Sequence, residues 1–249
     1  MARKIVLTSG KGGVGKTTVT ANLGIALAKM ALRVVIVDFD LALNNLDIAL
    51  EAENKVLFDV FDVVQNKCRI KQALVQDKRL PSLFLLPSVS GKGELSDDDV
   101  QLLIGKLDIM FDYVLIDSPA GIGRGFARAA KAADEAVIVC TPHLASLRDA
   151  DKVISELKKY SLNDIKLVVN RMRGDLVVAG KMLDAFEIFS LLEASPLGII
   201  EEDDSLNCTG YVDEGDNTFD ILANNLHNGA TDMIDYLTKH RTLLKRLSR

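Results

Sequence analysis

The sequence predicts an α/β fold, a mostly parallel sheet with helices on both faces. Three observations predict it. Short apolar runs, largely β-branched, recur along the chain, and stretches with apolar residues at helical spacing separate them. Several of the runs stop at one polar residue: Asp38, Asp117, Thr141 or Asn170. Runs that are apolar at every position belong to a sheet covered on both faces, and the helical stretches between them are the crossovers that parallel strands need. In such sheets ligands bind beyond the carboxyl ends of the strands, so these four polar residues mark the functional edge.

The elements follow in order. Residues 5–8 form a first strand that stops at Ser9-Gly10, and 17–30 form a helix of small and apolar residues. Residues 34–37 are a strand ending at Asp38, and 83–86 another. Ser96 caps a helix running to residue 110, and Asp97, Asp98 and Asp99 in its first turn suit the positive end of the helix dipole. Residues 114–116 are a strand closing on Asp117, and 136–140 a strand closing on Thr141-Pro142. A helix over 147–160, a strand over 165–169 ending at Asn170, a helix over 183–192 and a strand over 197–200 follow. A last helical pattern runs from about Thr218 to the end. No linker, repeat or low-complexity stretch interrupts the chain, so residues 1–238 read as one domain and 239–249 as a tail.

Composition sets bounds on function. The chain has 249 residues, 48% hydrophobic and 26% charged, ample for one core. Its net charge of −5 lacks the basic surplus of a general nucleic-acid binder, so nucleic acid is not the expected partner. Cys68, Cys140 and Cys208 form no C-x-x-C pair and have no histidine cluster beside them. That pattern favours reduced thiols in a cytosolic protein over a disulfide framework or a zinc or iron–sulfur site. The N-terminus turns polar too soon for a signal peptide, and no apolar run approaches the roughly 18 residues of a spanning helix. The expectation is a cytoplasmic protein, at most peripheral on a membrane.

One motif carries the chemistry. Gly10-Lys11-Gly12-Gly13-Val14-Gly15-Lys16-Thr17-Thr18 fits G-x-x-x-x-G-K-[ST], with a strand before it and an amphipathic helix after it. Glycines let such a loop turn with its amides inward, and the following helix adds its positive end. The motif predicts that Gly12, Gly13, Val14, Gly15, Lys16, Thr17 and Thr18 bind ATP. Lys16 would reach the β- and γ-phosphates, and the Thr17 hydroxyl would ligate Mg²⁺. The fold is then the three-layer P-loop NTPase type. Asp117 ends an apolar strand in the Walker B manner, where a carboxylate holds Mg²⁺ through water or caps the turn. A Gly121 amide in the next turn is placed to sense the γ-phosphate. Lys11 is unusual at its position, and it either meets anionic groups or points into water.

The loop KGGVGKTT resembles the deviant Walker A motif of the MinD/ParA family of P-loop ATPases. Further segments appear in the order of that family's MinD branch: Val37-Asp38-Phe39-Asp40, Asn45-Leu46-Asp47, Asp117-Ser118-Pro119-Ala120-Gly121, Ser146 to Asp151, and Leu197-Gly198-Ile199-Ile200. The resemblance therefore spans nearly the whole chain. It implies slow, partner-stimulated ATP hydrolysis and a homodimer formed on ATP, with Lys11 reaching the partner subunit's nucleotide. It implies that Asp38 and Asp40 belong to the first switch, Asp38 with Thr17 and Asp117 at the metal and Asp40 orienting the attacking water. It implies that Asn170 and Arg171 approach adenine, and that Arg148, Asp149 and Asp151 lie near the dimer and partner surface. The chain departs from that branch at Ala42 and Asn44, where Gly and Arg are usual, and at Glu201, where Pro is usual.

After Asp235 no acid remains, while Lys239, Arg241, Lys245, Arg246 and Arg249 alternate with Leu237, Leu243, Leu244 and Leu247. This describes a helix able to lie on an anionic membrane, or a solvated helix end with its leucines packed on the domain. The tail resembles the family's membrane-targeting sequence. The resemblance thus implies attachment to the inner face of the cell membrane when ATP is bound. It also implies recruitment of a protein inhibitor of septum assembly, an ATPase-activating protein, and control of division-site placement. Competing readings are a flagellar number or placement regulator, a DNA-partitioning ATPase, a reductase of the nitrogenase iron-protein type and a nucleotide-binding scaffold without useful turnover.

Overall fold

The computed structural model describes residues 1–41, 45–89, 91–204, 206 and 216–238. The tail, Ala42, Asn44 and Cys208 lie outside these residues. Eight strands form one sheet in the order β3-β4-β2-β5-β1-β6-β7-β8. They are β1 (Arg3–Thr8), β2 (Val34–Asp38), β3 (Val75–Gln76), β4 (Leu83–Leu86), β5 (Tyr113–Asp117), β6 (Glu135–Cys140), β7 (Ile165–Met172) and β8 (Ser195–Glu201). Every pairing is parallel except that of β3 with β4.

The central strands are apolar throughout because both of their faces are covered. Along β1, β2 and β5, Ile5, Leu7, Val34, Ile36 and Leu115 face one core, and Val6, Val35, Val37, Val114 and Ile116 face the other. The first core is closed by α1 (Lys16–Lys29) and α10 (Thr218–Asn228), which pack beside each other. The second is closed by α5 (Asp97–Asp108), α6 (Arg124–Lys131), α7 (Leu144–Lys159) and α9 (Ala185–Leu191). Each such aliphatic side chain contributes roughly 1.5–3 kcal/mol when fully buried, so this three-layer sandwich dominates stability. The helix predicted from Ser96 is present. Ser96 Oγ accepts the Asp99 amide at 3.1 Å and Asp99 reaches back to Ser96 N at 2.9 Å.

The structure corrects the sequence reading at several elements. The last helical pattern does not run on from Thr218 to the end, because α10 stops at Asn228 and Gly229 takes φ +70° as its left-handed cap. Residues 230–236 are not helical. Tyr236 is buried, and its hydroxyl accepts the Ala185 amide at 3.0 Å, strapping this segment to the start of α9. The sequence reading did not include α6, the antiparallel strand β3, or four short helices: α2 (Leu46–Ala49), α3 (Val60–Val64), α4 (Ile70–Ala73) and α8 (Gly174–Val178). No helix among the described residues is long and apolar enough to cross a membrane.

Candidate phosphate-binding site

The loop between β1 and α1 lies at the carboxyl edge of the sheet. Its glycines serve the turn: Gly13 and Gly15 adopt φ +79° and +90°, which residues with side chains rarely take. Val14 between them is 4% exposed and fastens the loop to the core beneath α1. Gly10 lies against the backbone of α7, where a Cβ would come within 2.4 Å of Asp149.

Asp117 is the hub of the site. It is buried at the end of β5, and Lys16 Nζ donates to its Oδ1 at 2.5 Å. Thr17 Oγ1 donates to its Oδ2 at 2.8 Å, and Thr20 Oγ1 lies 3.1 Å from Oδ1. The parallel register of β2 on β5 sets Asp38 directly beside Asp117. Burial pushes the Asp38 carboxyl well above its usual range, and the adjacent negative charge of Asp117 adds to this. Asp38 Oδ1 accepts the Asp40 amide at 2.9 Å, which starts the following segment.

A cavity of about 490 Å³ opens over the loop. Gly12, Thr17, Thr18, Asp40, Pro119 and Arg171 are among the residues that line it. Gly15 and Lys16 also line it. The sequence-predicted loop residues, Asp38, Asp40 and Asp117 are therefore brought together. Lys11 is exposed and makes no ion pair among the described residues. Arg148 and Asp151 are exposed on α7, while Asp149 pairs with Lys152 at 3.0 Å. Thr141 takes a structural part, its amide donating to Ser146 Oγ at 3.0 Å to tie β6 to α7.

Gly121 and Asn170 are each engaged within the protein. The Gly121 amide donates at 2.8 Å to the carbonyl of Ser9, the first residue after β1. Asn170 is 5% exposed with its amide nitrogen on the Val14 carbonyl at 2.8 Å, while Arg171 reaches the cavity from a left-handed residue with φ +60°. Sequence reasoning gave Thr20 and Ser9 no part in the site, and it singled out Asn45, which also lines the cavity, only within a segment of family resemblance. Thr20 carried a signal in its place one turn after Lys16 on the same face of α1.

The arrangement suits a polyanion with a hard cation. Loop amides at a helix N-terminus attract phosphate oxygens. Two buried carboxylates side by side, with one ammonium to balance them, leave surplus negative charge. Together with the Thr17 hydroxyl they form an all-oxygen donor set that fits Mg²⁺.

Comparison with known proteins agrees with this geometry. The family model described as ParA, NUBPL iron-transfer P-loop NTPase, matches residues 1–195. The septum site-determining protein MinD of Synechocystis is 39% identical over 263 residues, covering 100% of this chain and 98% of the relative. The MinC:MinD cell division protein complex of Aquifex aeolicus contains a chain with TM-score 0.86 and 37% identity, covering 94% of this chain and 99% of that one. MinD of Pyrococcus horikoshii, solved in complex with Mg-ADP, gives TM-score 0.81 at 28% identity over 91% of this chain and 96% of that one.

Proposed function

The chain belongs to the MinD branch of the ParA family of P-loop NTPases, and from that premise we propose that it is an ATP-dependent dimerising switch that attaches to membrane and recruits a protein partner in placing the division site. The observation that carries the reading is the convergence of Lys16, Thr17 and two strand-end carboxylates, Asp38 and Asp117, beneath a glycine loop. The Mg-ADP bound by the Pyrococcus relative and the MinC partner of the Aquifex relative support it.

In the proposed reaction a water oxygen bonds to the γ-phosphorus of ATP while the bond to the β–γ bridging oxygen breaks. The products are ADP and phosphate, and the proton lost by the water passes to solvent. Lys16 exchanges its partner Asp117 for phosphate oxygens, and the loop amides hold the phosphate chain. Thr17, Asp38 and Asp117 are the residues that would hold Mg²⁺, whose chemistry is to neutralise charge on the phosphoryl group. Asp40, at the cavity wall, orients the attacking water. Lys11, exposed at the mouth of the loop, reaches the second subunit's nucleotide, so dimerisation completes the site. Hydrolysis then separates the subunits and their two tails.

Calorimetry with ATP and Mg²⁺, for the full chain and Lys16→Gln, tests the nucleotide reading. Wild type is expected to bind, and the variant to lose at least a hundredfold in affinity or all turnover. Equal binding and turnover by the two would overturn the role given to Lys16.

A further inference from the structure

We propose that Asn170 is a positioning residue for the phosphate loop, holding the peptide between Val14 and Gly15 so that the Gly15 amide faces the phosphates. The inference rests on the nucleotide-binding reading above and assigns Asn170 a task independent of the base.

Asn170 sits at the far end of β7 and is buried, with both polar ends of its side chain engaged. Its Nδ2 donates to the Val14 carbonyl at 2.8 Å, across 156 residues of sequence. Its Oδ1 accepts the Arg171 amide at 2.9 Å. That second bond supports Arg171 in its left-handed conformation, which costs energy in a residue with a side chain. The contact leaves no spare room. A Cβ on Gly15 would stand 2.4 Å from Asn170 Nδ2.

Peptide planarity turns this contact into a positioning device. In a trans peptide the C=O and the N–H point in opposite directions. A Val14 carbonyl held on Asn170 therefore aims the Gly15 N–H away from β7. Gly15 lines the cavity above the loop, whereas Asn170 is not among its lining residues. The side chain thus acts on the phosphate site from behind. Together with the close approach of Gly10 to α7, it braces the loop at two points on neighbouring elements.

The test separates a phosphate-loop role from a base contact. Affinities for ATP and for inorganic tripolyphosphate, which has no base, are measured with Mg²⁺ by calorimetry and by displacement. The full chain is compared with Asn170→Ala and Asn170→Asp. The aspartate keeps the size and the acceptor for Arg171 N–H but sets an acceptor against Val14 O, and it serves as the second variant where alanine fails to fold. Losing one buried hydrogen bond to the loop is expected to weaken both ligands by about tenfold, with the ratio of the two affinities unchanged. A loss for ATP alone, with tripolyphosphate unaltered, would make Asn170 a base contact and overturn the proposal. So would unchanged affinity for both ligands, or a wild-type chain that binds ATP but yields none of it to millimolar tripolyphosphate. A wild type that binds neither ligand would instead remove the nucleotide reading itself.

Discussion

Asp38 and Asp117 stand side by side because β2 and β5 pair in parallel with those residues in register. Only Asp117 receives Lys16, so Asp38 carries the electrostatic cost of the pair. Asp38→Asn keeps an oxygen for the Asp40 amide and removes the charge. The nucleotide-free chain is then expected to gain on the order of 1 kcal/mol at pH 7 in urea unfolding, while Mg·ATP affinity falls at least tenfold. A variant that loses stability would show that the Asp38 carboxylate is compensated in the free protein. The loop residues were legible in the sequence because their geometry is local: nine consecutive positions make the cradle. Asn170 and Gly121 were legible only as positions. The direction in which each points depends on a neighbour far away in sequence, Val14 for one and Ser9 for the other.

The long elements were readable because burial on both faces leaves an unbroken apolar run, which periodicity detects. Short elements depend on tertiary contacts instead. β3 is two residues long and is paired by a turn in which Asp77 accepts the Arg79 and Leu80 amides. α3 is five residues long and rests on a buried cap. Asp59 Oδ1 accepts the Phe61 and Asp62 amides, and Lys92, from the segment after β4, ion-pairs with Asp59 at 2.8 Å and Asp62 at 3.2 Å. Burial works against the Asp62 charge, but the hydrogen bonds from Lys92 and the Asp59 amide outweigh it and hold the carboxyl below its ordinary 3.8. A depressed acid stabilises the fold above its unfolded value and loses that contribution as pH falls through the folded one. Lys92→Met is therefore expected to cost about 1–3 kcal/mol at neutral pH, since it leaves the buried Asp59 without its cation and Asp62 with Lys67, at 3.5 Å, as its remaining one. Its deficit relative to wild type should stay constant from pH 5 to 8 and shrink below about 3.8 in acid unfolding curves. A deficit that persists undiminished at pH 2 would assign the loss to packing.

Across the whole molecule the two ends of the sheet do different work. At the amino ends of the strands Arg3 grips Glu135 with two bonds, of 2.7 and 2.6 Å, and reaches Tyr113 Oη and the Leu226 carbonyl, joining three strands to the end of α10. This end lies opposite the phosphate loop. Arg3→Ala is expected to lower stability by about 1–3 kcal/mol, because the partly buried Glu135 keeps only Lys166, at 3.4 Å, as a cation among the described residues, with KM for ATP unchanged. A raised KM would mean that the two ends are coupled. The membrane part of the proposal belongs to the same scale. The Tyr236 strap fixes the chain to α9 three residues before the tail begins, so a truncation after Thr238 leaves that anchor in place. On that proposal one tail of five cations and a few leucines would bind an anionic surface weakly, at roughly 1 kcal/mol per basic residue near it. Two tails held on one dimer would gain by effective concentration, which would make attachment depend on ATP with no change in the tail. Full-length chain is expected to sediment with phosphatidylglycerol vesicles in Mg·ATP and far less in ADP. Removing residues 239–249 should abolish sedimentation while leaving ATP binding and the dimer, measured by light scattering, intact. A truncated chain that still sediments would place the lipid contact on the folded domain, and a full-length chain that sediments equally in ADP would uncouple membrane attachment from the nucleotide switch.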